Sequence, residues 1–213
     1  VSTKYKGEFV MSTYLKTSIP HVRVLDLSAP LHAQFEITWK CSDRCIMCYN
    51  VWHGGYDISN DLTEEQHLEV LDILNPHIFS MIFSGGEPTE VPWLPKLVEY
   101  CRNDNVDCSM ISNGKNIDKA LAKSLVDAGL QGVQISLHHF EDSVSDWITG
   151  TEGSIPKTLK GIHSLLQYMV PEQIGICMVV NSITASDVYE MGRFLSEYGL
   201  KIFVVSLCSY SGR

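Results

Sequence analysis

Phe35-Glu-Ile-Thr-Trp39-Lys-Cys41-Ser-Asp-Arg-Cys45-Ile-Met-Cys48 joins a short apolar run to three cysteines at Cys-x3-Cys-x2-Cys spacing. Bridges so close in sequence constrain little of the unfolded chain, so the cluster is a poor disulfide framework. Thiolates are soft ligands for zinc, copper(I) or iron–sulfur centres, and a short loop aims several at one point. Three ligands instead of four leave one metal position for something else. In an iron–sulfur cluster that position is an open, reactive iron. The competing readings are a zinc knuckle or three buried thiols. A structural zinc site asks for four protein ligands, and the nearest candidate for the fourth, His53, does not complete the set at a familiar spacing.

Composition frames the motif. The chain has 213 residues, 45% of them apolar, enough for one large domain with a sizeable core. No apolar run approaches the roughly 18 residues a membrane helix needs, and no signal peptide is visible. Seven cysteines, an odd number with three clustered, favour metal binding in a reducing compartment, and a cytoplasmic location is expected. The formal charge of −9 argues against a phosphate-binding surface, so no nucleic-acid partner is expected. The chain starts at Val1 and stops at Ser209-Tyr-Ser-Gly-Arg213, where a longer chain is expected to continue.

Outward from the loop, strands and helices alternate. Residues 1–33 read as an N-terminal lead-in, a packing arm, and 34–213 as the core domain. Gln34–Trp39 reads as the first strand. Thr63-Glu-Glu-Gln66 is a capping box opening a helix with Leu68, Leu71 and Leu74 on its apolar side, stopped by Asn75-Pro76. Ile78–Phe83 is the second strand, running into Ser84-Gly85-Gly86-Glu87-Pro88. A helix over 92–102 and a strand over 106–111 follow, the strand ending in Ser112-Asn113-Gly114. The next helix is read with Asn116 as its cap, Ile117, Ala120, Leu121, Ser124, Leu125 and Ala128 inward, and Gly129 as its stop. Then come a strand over 132–137, a long acidic loop over 138–153, and a helix begun near Pro156 with Leu159, Ile162, Leu165, Leu166 and Met169 inward. A strand over 174–180 ends at Asn181, a helix carries Val188, Met191 and Leu195, and a sixth strand covers 201–207.

Strands separated by helices imply an α/β fold with a parallel sheet, because short hairpins cannot join parallel neighbours. Ligands of such sheets bind outside the carboxyl ends of the strands. Those ends carry the three cysteines, Gly85-Gly86-Glu87, Ser112-Asn113, Ser136 and His138, Asn181, and Cys208. Polar and metal-binding residues therefore gather on one rim.

Gly85-Gly86-Glu87-Pro88 alone is a common tight turn. Placed after the second strand, with the cysteine loop after the first, it resembles the GGE motif of the radical S-adenosylmethionine (radical SAM) superfamily, as the cysteine spacing resembles that superfamily's cluster motif. The chain is similar to the SPASM or peptide-maturase branch, over about residues 34–210. The resemblance implies a partial (β/α)6 TIM-like barrel. It also implies a [4Fe–4S] cluster on Cys41, Cys45 and Cys48, with S-adenosylmethionine chelating the fourth iron and cleaved reductively to a 5′-deoxyadenosyl radical that abstracts hydrogen from a substrate. In that reading Gly85 and Gly86 let backbone carbonyls approach the methionine amino group and Glu87, beside Pro88, helps hold the cation. Met47 would sit against adenine, Ser112 and Asn113 near the ribose or carboxylate, and Ser136 and Asn181 at further cofactor contacts. Cys208 is a candidate hydrogen-atom donor, the other cysteines, Cys101, Cys108 and Cys177, being read as small core residues. An electron donor such as flavodoxin or ferredoxin is implied.

The sequence also departs from that branch. Many relatives read Ser-Leu-Asp-Gly after strand four and later an arginine that pairs with the cofactor carboxylate; here the residues are Ser136-Leu-His138-His139 and Thr149. Either another group, Lys115 or Arg44, is expected to supply the missing charge or the pocket differs, and His138 reads as a loop residue without a chemical role. The substrate is expected to be a peptide or protein. The alternatives are a small molecule (cofactor precursor, nucleoside or sugar) and a non-catalytic iron–sulfur or zinc scaffold.

Overall fold

The computed structural model describes residues 31–50 and 61–208, and six parallel strands there form one sheet in the sequential order β1 to β6. The strands are β1 His32–Glu36, β2 Ser80–Ser84, β3 Asp107–Ser112, β4 Gly132–Ser136, β5 Ile174–Val180 and β6 Ile202–Leu207. Every adjacent pair is parallel. Among the described residues β1 and β6 do not pair with each other, so the parallel sheet that the alternation implies is open, as in the partial TIM-like barrel that the resemblance implies. Of the lead-in only residues 31–33 are described, and β1 begins within them at His32; residues 1–30 and His53 lie outside the described residues. No helix described is long and apolar enough to cross a membrane.

Among the described residues six α-helices occupy the crossovers: α1 Glu64–Leu74, α2 Leu94–Asn103, α3 Lys119–Asp127, α4 Asp142–Thr149, α5 Ser154–Leu165 and α6 Val188–Glu197. Met81, Phe83, Met110 and Ile135 from the strands pack with Leu71, Leu97, Leu125 and Ile162 from the helices, all fully enclosed. Each such side chain contributes about 1.5–3 kcal/mol of transfer free energy. Cys101, Cys108 and Cys177 are buried, as small core residues are. The strand β6 is the exception to this coverage: Val204 and Val205, on opposite faces, are 38% and 46% exposed.

Three local readings need correction or refinement. The Thr63 capping box is present in full, but His67 joins Leu71 on the buried side of α1 while Leu68 and Leu74 are half-buried. Helix α3 starts later than expected, capped by Asp118, whose carboxylate accepts from Leu121 N at 2.8 Å; Asn116 instead donates to Glu90 at 3.2 Å. Ile117 thus precedes the helix and does not fix its phase, so Ala122 and Leu125 are buried while Ala120 and Ser124 face out. The expected acidic loop contains α4, stopped by Gly150 at φ +63°, a left-handed position that favours glycine. Its Asp146 then accepts from Gly153 N and Ser154 N at 2.8 Å each and so caps α5.

Candidate active site

The pairing of β1 with β2 continues past both strands into the loops. Ile37 N donates to Ser84 O at 3.0 Å, Gly86 N to Thr38 O at 2.7 Å and Glu87 N to Lys40 O at 2.7 Å. This close approach is what requires the two glycines. A Cβ on Gly85, whose φ is +137°, would stand 2.5 Å from Thr38 O, and one on Gly86 would stand 2.3 Å from Lys40 O. The segment leading into Cys41 is thereby joined to the end of β2.

Glu87 joins β2 to β3 in the same way. Its side chain is buried, and four donors converge on it: Ser112 Oγ at 2.7 Å, Thr89 Oγ1 at 2.6 Å and Thr89 N at 3.1 Å on Oε1, and Asn113 N at 2.7 Å on Oε2. Burial pushes its pKa up, and the hydrogen bonds oppose that shift. The carboxylate is therefore committed first to shaping the Ser112-Asn113 turn. On the far side, Thr158 of α5 donates to Asn113 O at 2.9 Å.

The cysteine loop is also backed by α4: Arg44 N donates to Thr149 O at 2.7 Å and Ile46 N to Ile148 O at 2.9 Å. The guanidinium of Arg44 turns back onto the carbonyls of Cys41 and Asp43, at 2.7 and 2.8 Å. Lys115 lies 2.6 Å from Asp43 in a buried ion pair. Neither cation lines the cavity described next, so the expectation that one of them replaces the missing arginine is corrected: both are engaged in holding the loop.

A cavity of about 260 Å³ opens at the carboxyl end of the sheet. Cys41, Cys45, Met47 and Cys48 line it, together with Gly85, Gly86, Glu87, Ser112, Asn113 and Ser136. Pro88 is buried behind Glu87 in a 3-10 turn. Asn181 and Cys208 lie off the cavity wall. The amide of Asn181 accepts from Ile183 N and Thr184 N at 2.8 and 3.2 Å, closing the turn after β5, and Cys208 N continues the sheet by donating to Val180 O at 2.9 Å. Gln34, Asp43, Ser84 and Val179 also line the cavity and were missed.

Burial pushes the Cys41 thiol up to about 12 and that of Cys45 up as well; the Asp43 backbone N–H opposes the shift at Cys41, and the Asp43 charge adds to that at Cys45. Metal uptake by this loop must therefore release protons. His138 is also buried in the cavity wall; its Nδ1 accepts from Val179 N at 3.2 Å, which assigns the proton to Nε2. Burial depresses its pKa from 6.5 to about 4. An unfolded chain then binds more protons than the folded one between those values, so stability is present above pH 6.5 and lost as pH falls towards 4. Urea unfolding of the cluster-free protein is expected to show this loss, up to ~3 kcal/mol, and His138→Gln to remove most of it. Equal pH dependence in the two proteins would contradict it.

Among the described residues no three His, Cys, Asp or Glu side chains converge on a point suited to one metal ion. A four-iron cluster does not ask for that convergence, because each thiolate takes its own iron. Three thiols on one cavity are a donor set of the right softness for such a cluster. Asn113 Nδ2, buried and without a hydrogen-bond partner, leaves a donor for a ligand in the same cavity.

A wound parallel sheet with thiols and a Gly-Gly-Glu turn meeting at its carboxyl rim defines a cofactor-dependent β/α-barrel protein. The chain belongs to the radical SAM superfamily, whose family model matches residues 35–195. It is 28% identical over 175 residues to a probable GTP 3′,8-cyclase of Thermococcus kodakarensis, covering 82% of this chain and 56% of the relative. The mycofactocin maturase MftC of Mycobacterium tuberculosis is 27% identical over 182 residues, 85% of this chain and 46% of MftC. The fold matches that of anSMEcpe, solved with bound AdoMet and the Cp18Cys peptide, at a TM-score of 0.69 and 22% identity, over 85% of this chain and 52% of that one. The chain thus spans about half the length of the relatives it matches.

Proposed function

We propose that this chain is the core of a radical enzyme that modifies a peptide, holding a [4Fe–4S] cluster on Cys41, Cys45 and Cys48 and S-adenosylmethionine beside it. The observation that carries the reading is the meeting of the three thiols with the Glu87–Ser112–Asn113 network on one cavity at the carboxyl end of the sheet. Bound together, the cluster and S-adenosylmethionine supply one-electron cleavage to a 5′-deoxyadenosyl radical and hydrogen abstraction from substrate; the protein supplies position and shielding. Met47 offers a thioether to adenine, and the carbonyls of the Gly85-Gly86 turn offer acceptors to the methionine ammonium. Asn113 Nδ2 and Ser136 offer hydrogen bonds to the ribose or carboxylate. Glu87 acts by holding Ser112 and Asn113 in place. The electron comes from a flavodoxin or ferredoxin.

A peptide substrate is supported by the likeness to MftC and to the peptide-bound anSMEcpe structure. The GTP cyclase, similar at 28% identity, keeps a small-molecule substrate as the second reading. The test is anaerobic: load iron and sulfide, add dithionite and S-adenosylmethionine, and quantify 5′-deoxyadenosine with Cys45→Ala as control. Turnover in the parent that falls to background in Cys45→Ala is the expected result. A fully loaded four-iron cluster that yields none, in this chain and in a longer version of it, sinks the proposal. Mass shifts in short precursor peptides, against consumption of GTP, then separate the two substrate classes.

A further inference from the structure

Asp43 lies between two of the three cysteines, and three separate segments meet at its carboxylate. Lys115, 72 residues further along, places Nζ 2.6 Å from Oδ1, and Thr151 Oγ1 donates to the same oxygen at 2.7 Å. The Asp43 and Lys115 side chains are only 3% and 5% exposed. Lys115 follows the Ser112-Asn113-Gly114 turn and donates its own N–H to Asn113 Oδ1 at 3.0 Å. Thr151 follows α4. One carboxylate therefore fastens the cysteine loop to the end of β3 and to the far end of α4.

Stability alone is a weak reason to bury such a pair, because well-packed apolar residues of similar volume do as well or better. Its position gives a stronger one. A cluster on these cysteines gains negative charge when reduced, and in an enclosed site fixed charges act on it with little screening. A lone carboxylate between the ligands opposes the reduced state. An ammonium against that carboxylate removes the opposition while leaving its hydrogen bonds in place.

We propose that the Asp43–Lys115 pair sets the reduction potential of the iron–sulfur cluster, Asp43 fixing the ligand loop and Lys115 cancelling the charge that doing so introduces. The inference rests on the cluster assignment above. Both residues are positioning residues, acting through the loop and the local field.

The experiment is a redox titration of the reconstituted protein, followed by the electron paramagnetic resonance signal of the reduced cluster, after iron and sulfide have been counted. All variants are titrated at one fixed pH. Lys115→Met is expected to move the midpoint to more negative values and Asp43→Asn to more positive ones. The double variant should return close to the parent. Thr151→Val removes a hydrogen bond but no charge, and is expected to leave the midpoint where it was. If Lys115→Met does not load a cluster, Lys115→Gln, which keeps a donor, takes its place with the same expected sign. A parent that loads no four-iron cluster overturns the cluster assignment and this inference together. Clusters that load, with single-variant midpoints unmoved or moved in the same direction, overturn this inference alone. So does a Thr151→Val shift as large as theirs, which would mean that loop distortion, and not charge, moves the potential.

Discussion

Glu87→Ala is expected to destabilise the protein by about 3 kcal/mol and to abolish S-adenosylmethionine binding, read by urea unfolding and by calorimetric titration of the loaded protein. The reason is the number of donors left behind. Thr89 N and Asn113 N lose their acceptor inside the protein, and the hydroxyls of Ser112 and Thr89 lose theirs. Each buried orphan costs about 1–3 kcal/mol. Removing a carboxylate whose own burial is unfavourable offsets part of that sum. Glu87→Gln keeps one acceptor oxygen and is expected to lose roughly half as much stability. Parental stability in Glu87→Ala would show that the Ser112-Asn113 turn is held by the Thr158 and Lys115 contacts instead.

Gly161→Ala tests the opposite face of that turn. Alanine in a helix interior is ordinarily favoured over glycine by about 1 kcal/mol, so on propensity alone the change would stabilise α5. In this structure a Cβ on Gly161 would stand 2.0 Å from Gly114 O and 2.9 Å from Gly114 C. Backbone must move, either in α5 or in the turn that carries Asn113. Overpacking of this kind costs about 1–3 kcal/mol and sometimes more. The expected result is a net loss of ~2 kcal/mol or more, with weaker S-adenosylmethionine binding because Asn113 is displaced. The sign decides: a rise in unfolding midpoint would mean that the contact relaxes freely.

Strands were legible where they are buried, and less so at β1, which alternates between exposed and half-buried residues and runs His32–Glu36 instead of the expected Gln34–Trp39. β5 has the predicted bounds, and its first five residues are enclosed. Caps were legible where a reciprocal pair existed, as at Thr63 and Gln66, and misleading where two candidates stood close together, as at Asn116 and Asp118. The eight-residue helix α4 was hidden by its acidic start, although Val144 and Ile148 are helically spaced and Gly150 marks the stop. At the site the cysteines and the Gly-Gly-Glu turn were readable because each is contiguous. The partners of Glu87 and Asp43 were not: they depend on strand register and on contacts across 25 and 72 residues. The glycines were noticed as a motif, but the contact that demands them, with the backbone of 38–40, appears only in three dimensions.

The exposed strand β6 bears on how the protein behaves in concentrated solution. Among the described residues it is the last strand of the sheet, and Ile202-Phe-Val-Val-Ser-Leu207 contains neither charge nor proline to blunt the edge. Leu207 is 81% exposed. An uncharged edge of this kind is a template for pairing with a second chain. Lysine substitutions on β6 are therefore expected to lower any self-association of the protein, read by light scattering as concentration rises.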